Sequence, residues 1–421
     1  MEKRYNVLVV GGGGREHAIV WALKKSPKID KLYCVPGNAG IAELAYCEDI
    51  AATDIEGILG FLDRHKDINY VVVAPDDPLA LGLVNILNQK GYMTFGPTKE
   101  AAIIESSKAF SKNLMKKYNI PTADYQVYND YNKALEYIKT AKYPLVVKAD
   151  GLALGKGVII CDDFDTAYNA IKDMMQNDKF GNSGHTVVIE EFLKGFEVSV
   201  LAFTDGKTIV TMPPSQDHKR VFDYDKGLNT GGMGAFAPSK KFTDKMYDYA
   251  KRHIFEPTIK ALERENRPFS GVIYFGLMVD GDDIKVLEYN ARFGDPETQS
   301  ILPLLKTDLF EIFLAVSEKR LDKIKIEWSD NFAVCVVMAS GGYPQEYKKG
   351  EPIEIGQLED NVIVFHAGTK LIDNKFITNG GRVLGVTAVA DSMDKARQAA
   401  YESVKNIYFN NAHYRKDIGI K

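Results

Sequence analysis

The chain has 421 residues, long enough for two to four domains at roughly 100 to 200 residues each. Hydrophobic residues make up 45% and charged residues 26%, the balance of a folded protein rather than a disordered one. A formal net charge of -4, from 53 Lys plus Arg against 57 Asp plus Glu, offers no global attraction to nucleic acid or an acidic membrane, so any anion is bound locally. Cys34, Cys47, Cys161 and Cys335 form no C-x-x-C pair, which argues against a zinc site or a disulfide framework and for reduced thiols in a cytoplasm. The apolar run at residues 7–10 is too short for a signal-peptide core, and no later stretch reaches the length of a membrane span.

From Tyr5 to about Pro97, short apolar runs (VLVV, KLYCV, YVVVA, YMTF) alternate with helix-like segments such as 15–25 and 79–90, predicting a parallel sheet with crossover helices. Residues 97–118 read as helical and end at Ile120-Pro121. Between about 122 and 193 the strand YQVY, a helix over 131–141, the strand PLVVKA, a glycine turn, GVIIC, a helix from Asp165 and TVVIEEF predict a small α+β module. From 195 to 327 strands dominate (FEVSVLAF, KTIVTM, VIYFGLMV, IKVLEYN), followed by a helix over 303–319, and an antiparallel domain is expected. The tail from Trp328 is strand-rich and closes with a helix over 392–408.

The first motif, V-L-V-V-G-G-G-G-R-E-H-A, is a strand running through a glycine turn into a helix. Gly11, Gly13 and Gly14 allow close backbone approach, and the helix start supplies N–H donors, an arrangement suited to phosphate. A dinucleotide fingerprint would need glycine where Glu16 stands, so NAD is disfavoured. The other reading is a tight turn that packs the first helix on its sheet. Gly37-Asn38 after the second strand and Pro75-Asp76 after a later one would join this loop at the crevice where open α/β sheets bind ligands, with room for a phosphorylated sugar.

The segment P-L-V-V-K-A-D-G-L-A-L-G-K-G-V places Lys148 near a strand end, followed by a loop with Gly155, Lys156 and Gly157. It suits a triphosphate, although a Walker A loop would lead into a helix and this one leads into a strand. A solvated hairpin tip with surface lysines is the alternative. Further on, Glu190 begins an acidic pair. The backbone around Glu191, Phe192 and Leu193 would read an adenine edge, and Glu197 a ribose, unless the pair is simply a solvated strand end. In I-K-V-L-E-Y-N-A-R-F-G-D-P-E-T, Glu288 and Asn290 alternate across Tyr289 and point to one face, as two oxygen ligands for Mg²⁺ do. Arg292 shares that face if the strand continues, and its fork suits a phosphoryl group in transfer.

Lys108, Lys148, the glycine loop, Glu190 to Glu197 and Glu288-x-Asn290-x-Arg292 occur in the order seen in ATP-grasp enzymes. Over its full length the chain resembles the phosphoribosylamine–glycine ligase family, through G-G-G-G-R-E-H-A, P-G-N-A-G, S-Q-D-H-K-R, N-T-G-G-M-G-A and A-R-F-G-D-P-E-T-Q. The resemblance implies an α/β and α+β multidomain chain: a parallel α/β domain over 1–105, an ATP-grasp fold with its larger part over 106–121 and 194–327 and its lid over 122–193, and a small strand-rich domain over 328–421. It implies ligation of glycine to 5-phosphoribosylamine through glycyl phosphate. ATP would be held by Lys108, Lys148, Gly155, Lys156, Gly157, Glu190, Glu191, Phe192, Leu193 and Glu197, and Mg²⁺ or Mn²⁺ by Glu288 and Asn290. Arg292, Lys148, Asp217, Lys219 and Asp295 would be catalytic. Gly11, Gly13, Gly14, Arg15, Glu16, His17, Gly37, Asn38, Pro75, Asp76, His218, Asn229, Thr230 and Thr298 would bind substrate.

No Ser/His/Asp or Cys/His arrangement is apparent, in keeping with chemistry that depends on positioning and charge stabilisation, and His17 and His218 read first as structural. The partners expected are these small molecules, with no nucleic acid or membrane, acting on a monomer or weak homo-oligomer. One departure from the family pattern, Asp76 where G-P-E-x-P-L carries a glutamate, shortens the carboxylate by one methylene. Another ATP-grasp activity using bicarbonate, or a nucleotide-binding protein without catalysis, are the competing readings.

Overall fold

The computed structural model of the chain describes residues 3–152, 157–177 and 181–420. Strands β1 (Tyr5–Gly11), β2 (Ile29–Pro36), β3 (Tyr46–Cys47), β4 (Tyr70–Val73) and β5 (Met93–Phe95) form a parallel sheet in the order β3-β2-β1-β4-β5. Helices α1 (Gly14–Leu23), α2 (Ile55–Arg64), α3 (Asp76–Leu81) and α4 (Leu83–Gln89) connect them. The segment expected as one helix over 79–90 is two, because Gly82 at φ +92° caps α3 in the left-handed region and α4 restarts from it. Strand order reverses around β1, so the loops after β1, β2 and β4 meet at one crevice.

The helical run 97–118 is also broken. Helix α5 (Lys99–Ser106) stops before Ser107, whose hydroxyl accepts the Phe110 N–H at 3.0 Å and so caps α6 (Lys108–Lys117). Next, β6 (Tyr125–Tyr128), α7 (Tyr131–Ile138), β7 (Leu145–Ala149), β8 (Val158–Cys161), α8 (Phe164–Met175) and β9 (Val187–Glu191) form a small antiparallel sheet, β6-β9-β7-β8. Ala134 and Ile138 of α7 pack with Ala167, Ala170 and Ile171 of α8 against Leu145 and Val147.

Strands β10 (Phe196–Thr204) and β11 (Ile209–Thr211) begin a larger sheet. The chain then leaves it for β12 (Gln216–Asp217), the ribbon β13 (Arg220–Phe222) and β14 (Lys226–Asn229), β15 (Gly234–Ala237), and helices α9 (Asp244–Ala250) and α10 (Glu256–Arg264), before β16 (Gly271–Asp280) and β17 (Asp283–Asn290) complete the order β11-β10-β16-β17. The two helices, joined through a π-helical turn at Lys251–Phe255, stand where the sequence reading has strands alone. Ile254, Phe255, Ile259 and Leu262 form the apolar stripe that lays them on the sheet.

Register on β17 decides which of its side chains line the cleft. Gly276 faces Glu288 while Leu277 faces Val286, so Leu287 is an extra residue in the ladder, a β-bulge. Ile284, Val286 and Tyr289 can therefore all enter the core, although strict alternation would send Glu288 there. The bulge resets the parity, leaving Glu288 and Asn290 together on the opposite face.

After α11 (Glu297–Ile301) and α12 (Leu309–Ser317) come β18 (Phe332–Ala339), β19 (Glu354–Ile355), β20 (Val362–His366), β21 (Thr369–Ile372), β22 (Lys375–Thr378), β23 (Arg382–Ala390), α13 (Met393–Lys405) and β24 (Ile407–Tyr408). The helix expected over 392–408 ends three residues earlier, and Ile407-Tyr408 pairs with β19 instead. The third large sheet, β12-β15-β18-β23-β20, takes two strands from the middle of the chain and three from its last hundred residues. The N-terminal sheet lies between neighbours. Leu8, Val10 and Val71 share a core with β10, β16 and β17, while Val7, Val9 and Val72 share one with α12.

Candidate functional site

The polar cleft lies between the small sheet and the larger one. Lys148, on β7 and almost fully buried, places Nζ 2.9 Å from Glu190 Oε2 and donates to the Leu287 carbonyl at 3.2 Å. The bulge thus does a second thing: it turns out a carbonyl that holds this ammonium. Lys112, from α6, reaches the same Glu190 oxygen at 2.9 Å and donates to Thr122 Oγ1 at 2.7 Å. Burial brings the Lys112 pKa down to about 8, against the pull of Glu190. Glu190 Oε1 is buried with no hydrogen-bond partner among the described residues, an arrangement natural to a site that receives another donor. Lys108 donates to the Gly151 carbonyl at 2.8 Å, and burial holds its pKa below the usual lysine value while Glu288 opposes the shift.

Glu191, exposed at the end of β9, accepts from Lys285 Nζ and the Asp124 N–H, each at 3.2 Å, while Phe192 and Leu193 lead half-buried toward the larger sheet. Gly157 accepts the Ala149 N–H at 2.8 Å, and Gly155 and Lys156 lie outside the described residues.

The polar face of the larger sheet carries Glu197, Ser199, Tyr274, Glu288 and Asn290. Gly276 lies directly opposite Glu288, and a side chain there would crowd Glu288 Cγ at 3.1 Å. Lys219 Nζ is 2.6 Å from Glu197 Oε2 and 3.7 Å from Glu288 Oε1. Burial works against the Lys219 ammonium, but Glu197, Glu288 and Asp217 together hold its pKa well above the usual value. The Glu288 carboxyl stays below the ordinary range, since Lys219, Lys148, Lys108 and Arg292 outweigh its burial. Asp217 goes the other way: burial, with Glu297, Glu197 and Glu288 nearby, pushes it up to about 7 despite Lys219. Tyr274 OH lies 2.7 Å from Ser199 Oγ and donates to Glu297 Oε1 at 3.1 Å.

β17 ends at Asn290, so Arg292 is not on the strand. It is nonetheless brought alongside, with Nη2 3.4 Å from Asn290 Oδ1, 3.0 Å from Glu105 Oε1 and 4.0 Å from Asp76 Oδ2. Glu105 is itself fixed by the Ala291 N–H at 2.7 Å. The shortened acid Asp76 is therefore beside the guanidinium, and its carboxyl stays below its usual range because Arg292 and Arg15 offset burial. Asp295 is clamped by Arg382, whose Nη2 meets Oδ2 at 3.0 Å and whose Nη1 donates to the Asp295 carbonyl at 2.9 Å and the Gly231 carbonyl at 2.5 Å.

The N-terminal loop faces this turn. An added side chain at Gly13 would stand 3.7 Å from Asp295 Oδ2, and one at Gly14 would meet Gln299 and Ala367. Gly11 and Gly37 have φ of +127° and +70°, and the two loops touch where Gly12 meets the Gly37 carbonyl. Arg15 donates to Glu16 at 2.6 Å and to the Phe293 carbonyl at 3.2 Å, while Glu16 Oε2 takes the Gly13 N–H at 2.6 Å. His17 Nδ1 accepts the His366 N–H at 2.8 Å. Asn38 donates to the Gly12 and His366 carbonyls and accepts from Gly40 and Ile41. Expected to bind substrate, Glu16, His17 and Asn38 have these polar atoms committed to the loop framework. Thr298 likewise spends its hydroxyl on the Gly294 carbonyl, and Thr230 its own on the Lys219 carbonyl. Pro75 starts α3, Asn229 pairs with Arg220 on the ribbon, and buried His218 shares backbone bonds with Met233 and Gly234.

Four site residues escape the sequence reading, Glu105, Lys112, Tyr274 and Arg382, while Glu297 stands in the A-R-F-G-D-P-E-T motif without a role assigned to it. Glu105 and Lys112 carry a usable signal, being charges on the buried stripes of α5 and α6 beside Ile104 and Met115. Arg382 carries none, since it reaches the site from a strand over eighty residues away in sequence.

Along nearly all of its length the chain is similar to known proteins. Models of the phosphoribosylglycinamide synthetase N domain, ATP-grasp (A) domain and C domain match residues 5–105, 106–298 and 333–421. A phosphoribosylamine–glycine ligase of Caldanaerobacter subterraneus is 48% identical over 98% of this chain and 99% of its own length. One from Halalkalibacterium halodurans is 45% identical over 99% and 97%. The crystal structure of the phosphoribosylamine–glycine ligase of Thermotoga maritima is similar with a TM-score of 0.86 at 35% identity, covering 98% of this chain and 99% of that one. A biotin carboxylase domain from Hydrogenobacter thermophilus, at 14% identity and a TM-score of 0.76 over 98% and 92%, shares the fold alone. With the three domain models in order along nearly its whole length, the chain belongs to the phosphoribosylglycinamide synthetase family.

Proposed function

We propose that the chain joins glycine to 5-phosphoribosylamine at the expense of ATP, releasing ADP and phosphate. The observation that carries this reading is the convergence of Glu288, Asn290, Lys148, Lys219 and Arg292 on one cleft of a chain belonging to this family. ATP lies between the two sheets under the 122–193 lid, its phosphates on Lys108 and Lys148, its adenine along the Glu191 to Leu193 backbone and its ribose on Glu197. Glu288 and Asn290 are the oxygen donors for Mg²⁺ or Mn²⁺. An ionised carboxylate beside an amide oxygen fits a small hard cation whose other ligands are phosphate and water, and the bound ion would neutralise charge on the phosphates.

A glycine carboxylate oxygen attacks the γ-phosphorus as the bond to ADP breaks, giving glycyl phosphate. Arg292, backed by Glu105 and Asp76, presents a fixed fork to the phosphoryl oxygens. The acceptor amine, delivered by a sugar phosphate held at the loops of Gly11 to Gly14, Gly37 and Asp76, attacks the acyl carbon. The acyl–phosphate bond then breaks, and Asp217, with a pKa near 7, takes the proton lost by nitrogen. Asp295 and Lys219 position the glycyl group. A cytoplasmic monomer or weak homo-oligomer completes the reading. No helix among the described residues is long and apolar enough to cross a membrane.

The test is a coupled assay of ADP release with glycine and freshly generated phosphoribosylamine. ADP release should require both. Release that needs bicarbonate and ignores glycine would sink the reading.

A further inference from the structure

Cys34 and Cys47 take no part in the ligation chemistry, yet they are direct register partners on β2, which feeds the Gly37 loop, and its neighbour β3. Paired residues on neighbouring parallel strands put their side chains on the same face, with backbones about 4.8 Å apart, inside the span a disulfide bridges. The two thiols are near enough for each to shift the ionisation of the other. Cys34 is fully buried and donates its proton to the Gly11 carbonyl at 3.1 Å, while the Cys47 thiol donates to the Ala45 carbonyl at 3.6 Å. The Gly37 N–H donates to the Gly11 carbonyl at 3.2 Å, the same oxygen that takes the Cys34 S–H, and Cys47 packs on Gly37 so closely that a side chain there would sit 2.5 Å from Cys47 Sγ. The thiol pair is thus wedged under both backbone turns, at Gly11 and at Gly37. Cys47 is partly exposed, whereas Cys161 and Cys335 are buried and distant from each other in sequence.

We propose that Cys34 and Cys47 form a reversible, peroxide-sensitive thiol pair whose oxidation to a disulfide shifts the acceptor-binding loops. Cys47 reacts first, its partial exposure admitting the oxidant and the neighbouring Cys34 holding its pKa below the usual thiol value. The Cys47 thiolate attacks one peroxide oxygen, the O–O bond breaks, and hydroxide leaves to become water, giving Cys47 sulfenic acid. The Cys34 sulfur then attacks the Cys47 sulfur, forming the S–S bond and releasing the second water with the Cys34 proton. Two electrons pass from the thiols to the peroxide. The S–H donor to the Gly11 carbonyl is lost in the same step, and Cys47 is drawn across Gly37.

The formation of the bond stands on the thiol geometry alone; its kinetic effect rests on the proposed binding of the acceptor at these loops. The full chain is treated with stoichiometric hydrogen peroxide, alkylated, digested without reductant and mapped by mass spectrometry. A cross-linked peptide pair containing Cys34 and Cys47, absent in Cys47→Ser and restored to thiols by dithiothreitol, is expected. Free Cys34 and Cys47 after treatment, or a Cys47 sulfinic acid without the cross-link, overturns the proposal whatever the acceptor is. In the assay, oxidation should raise KM for phosphoribosylamine by on the order of tenfold or more and leave KM for ATP unchanged. A cross-linked enzyme with unaltered acceptor KM overturns the coupling to the loops. Because Cys34→Ser alters a buried position, Cys47→Ser, which should lose the peroxide response, is the deciding variant.

Discussion

At the scale of single residues, the site is a set of charges whose ionisation is fixed by neighbours. Glu288 is kept ionised by four cations, and its carboxylate has no core role, since Tyr289 fills the apolar position beside it. Glu288→Ala should abolish ADP release while leaving the thermal midpoint within a few degrees of wild type, surface-lining changes typically costing about 0.5 kcal/mol or less. Full activity in this variant would remove Glu288 from the metal role. Asp217 gives a pH signature. As a base with a pKa of about 7 it accepts a proton only above that value, so kcat/KM for the acceptor should fall by about tenfold per pH unit below it. Asp217→Asn should be slow and should lack this limb in a profile from pH 5.5 to 8.5. An unchanged profile would assign the proton to another group.

At the scale of elements, the cleft is held by contacts between units that sequence patterning treats separately. Lys112 ties α6 to β9 through Glu190, with both side chains about 2% exposed. Removing one partner of a buried pair leaves the other uncompensated. Lys112→Met should cost about 3 kcal/mol in urea denaturation, the lower end of that class because Lys148 still meets the same oxygen. A loss below about 1 kcal/mol would mean that Lys148 alone satisfies Glu190. Most strands were legible because their apolar runs are short and bounded by glycine or proline, and the face shared by Glu288 and Asn290 was legible from alternation. The bulge that makes this face possible was not: the apolar doublet Val286-Leu287 interrupts the alternation there, but pairing with Gly276 is what identifies Leu287 as the extra residue. Helices α9 and α10 were missed where charged residues interrupt the apolar stripe, and Gly82 and Ser107 broke helices that periodicity alone ran together. Glu16, His17 and Asn38 were found as motif letters, but a motif does not distinguish an atom that holds a loop from one that holds a ligand.

At the scale of the whole molecule, the first and last parts of the chain are joined through two buried histidines. His17 accepts the His366 N–H through Nδ1, so its ring is neutral there. Burial, with His366 adding to it, lowers His17 to about 3, and burial lowers His366 to about 4. The unfolded chain binds these protons below about pH 6.5 and the folded chain does not. Stability is therefore complete above that pH and is lost on acidification toward the folded values, by about 1.4 kcal/mol per pH unit for each histidine. His17→Asn, which keeps an acceptor for the His366 N–H, should flatten the difference in urea midpoint between pH 5 and 7 by roughly one proton's worth; an unaltered difference would place the acid sensitivity elsewhere. The sheet that runs from β12 through β15 to β18, β23 and β20 has a further consequence. Splitting the chain near residue 327 would not yield a catalytic body and a removable cap, but two fragments with matching bare edges, Gly234–Ala237 on one and Phe332–Ala339 on the other. Produced separately each fragment should aggregate, and produced together they should reassemble by zipping that ladder, as co-elution of the two at the mass of the intact chain would show.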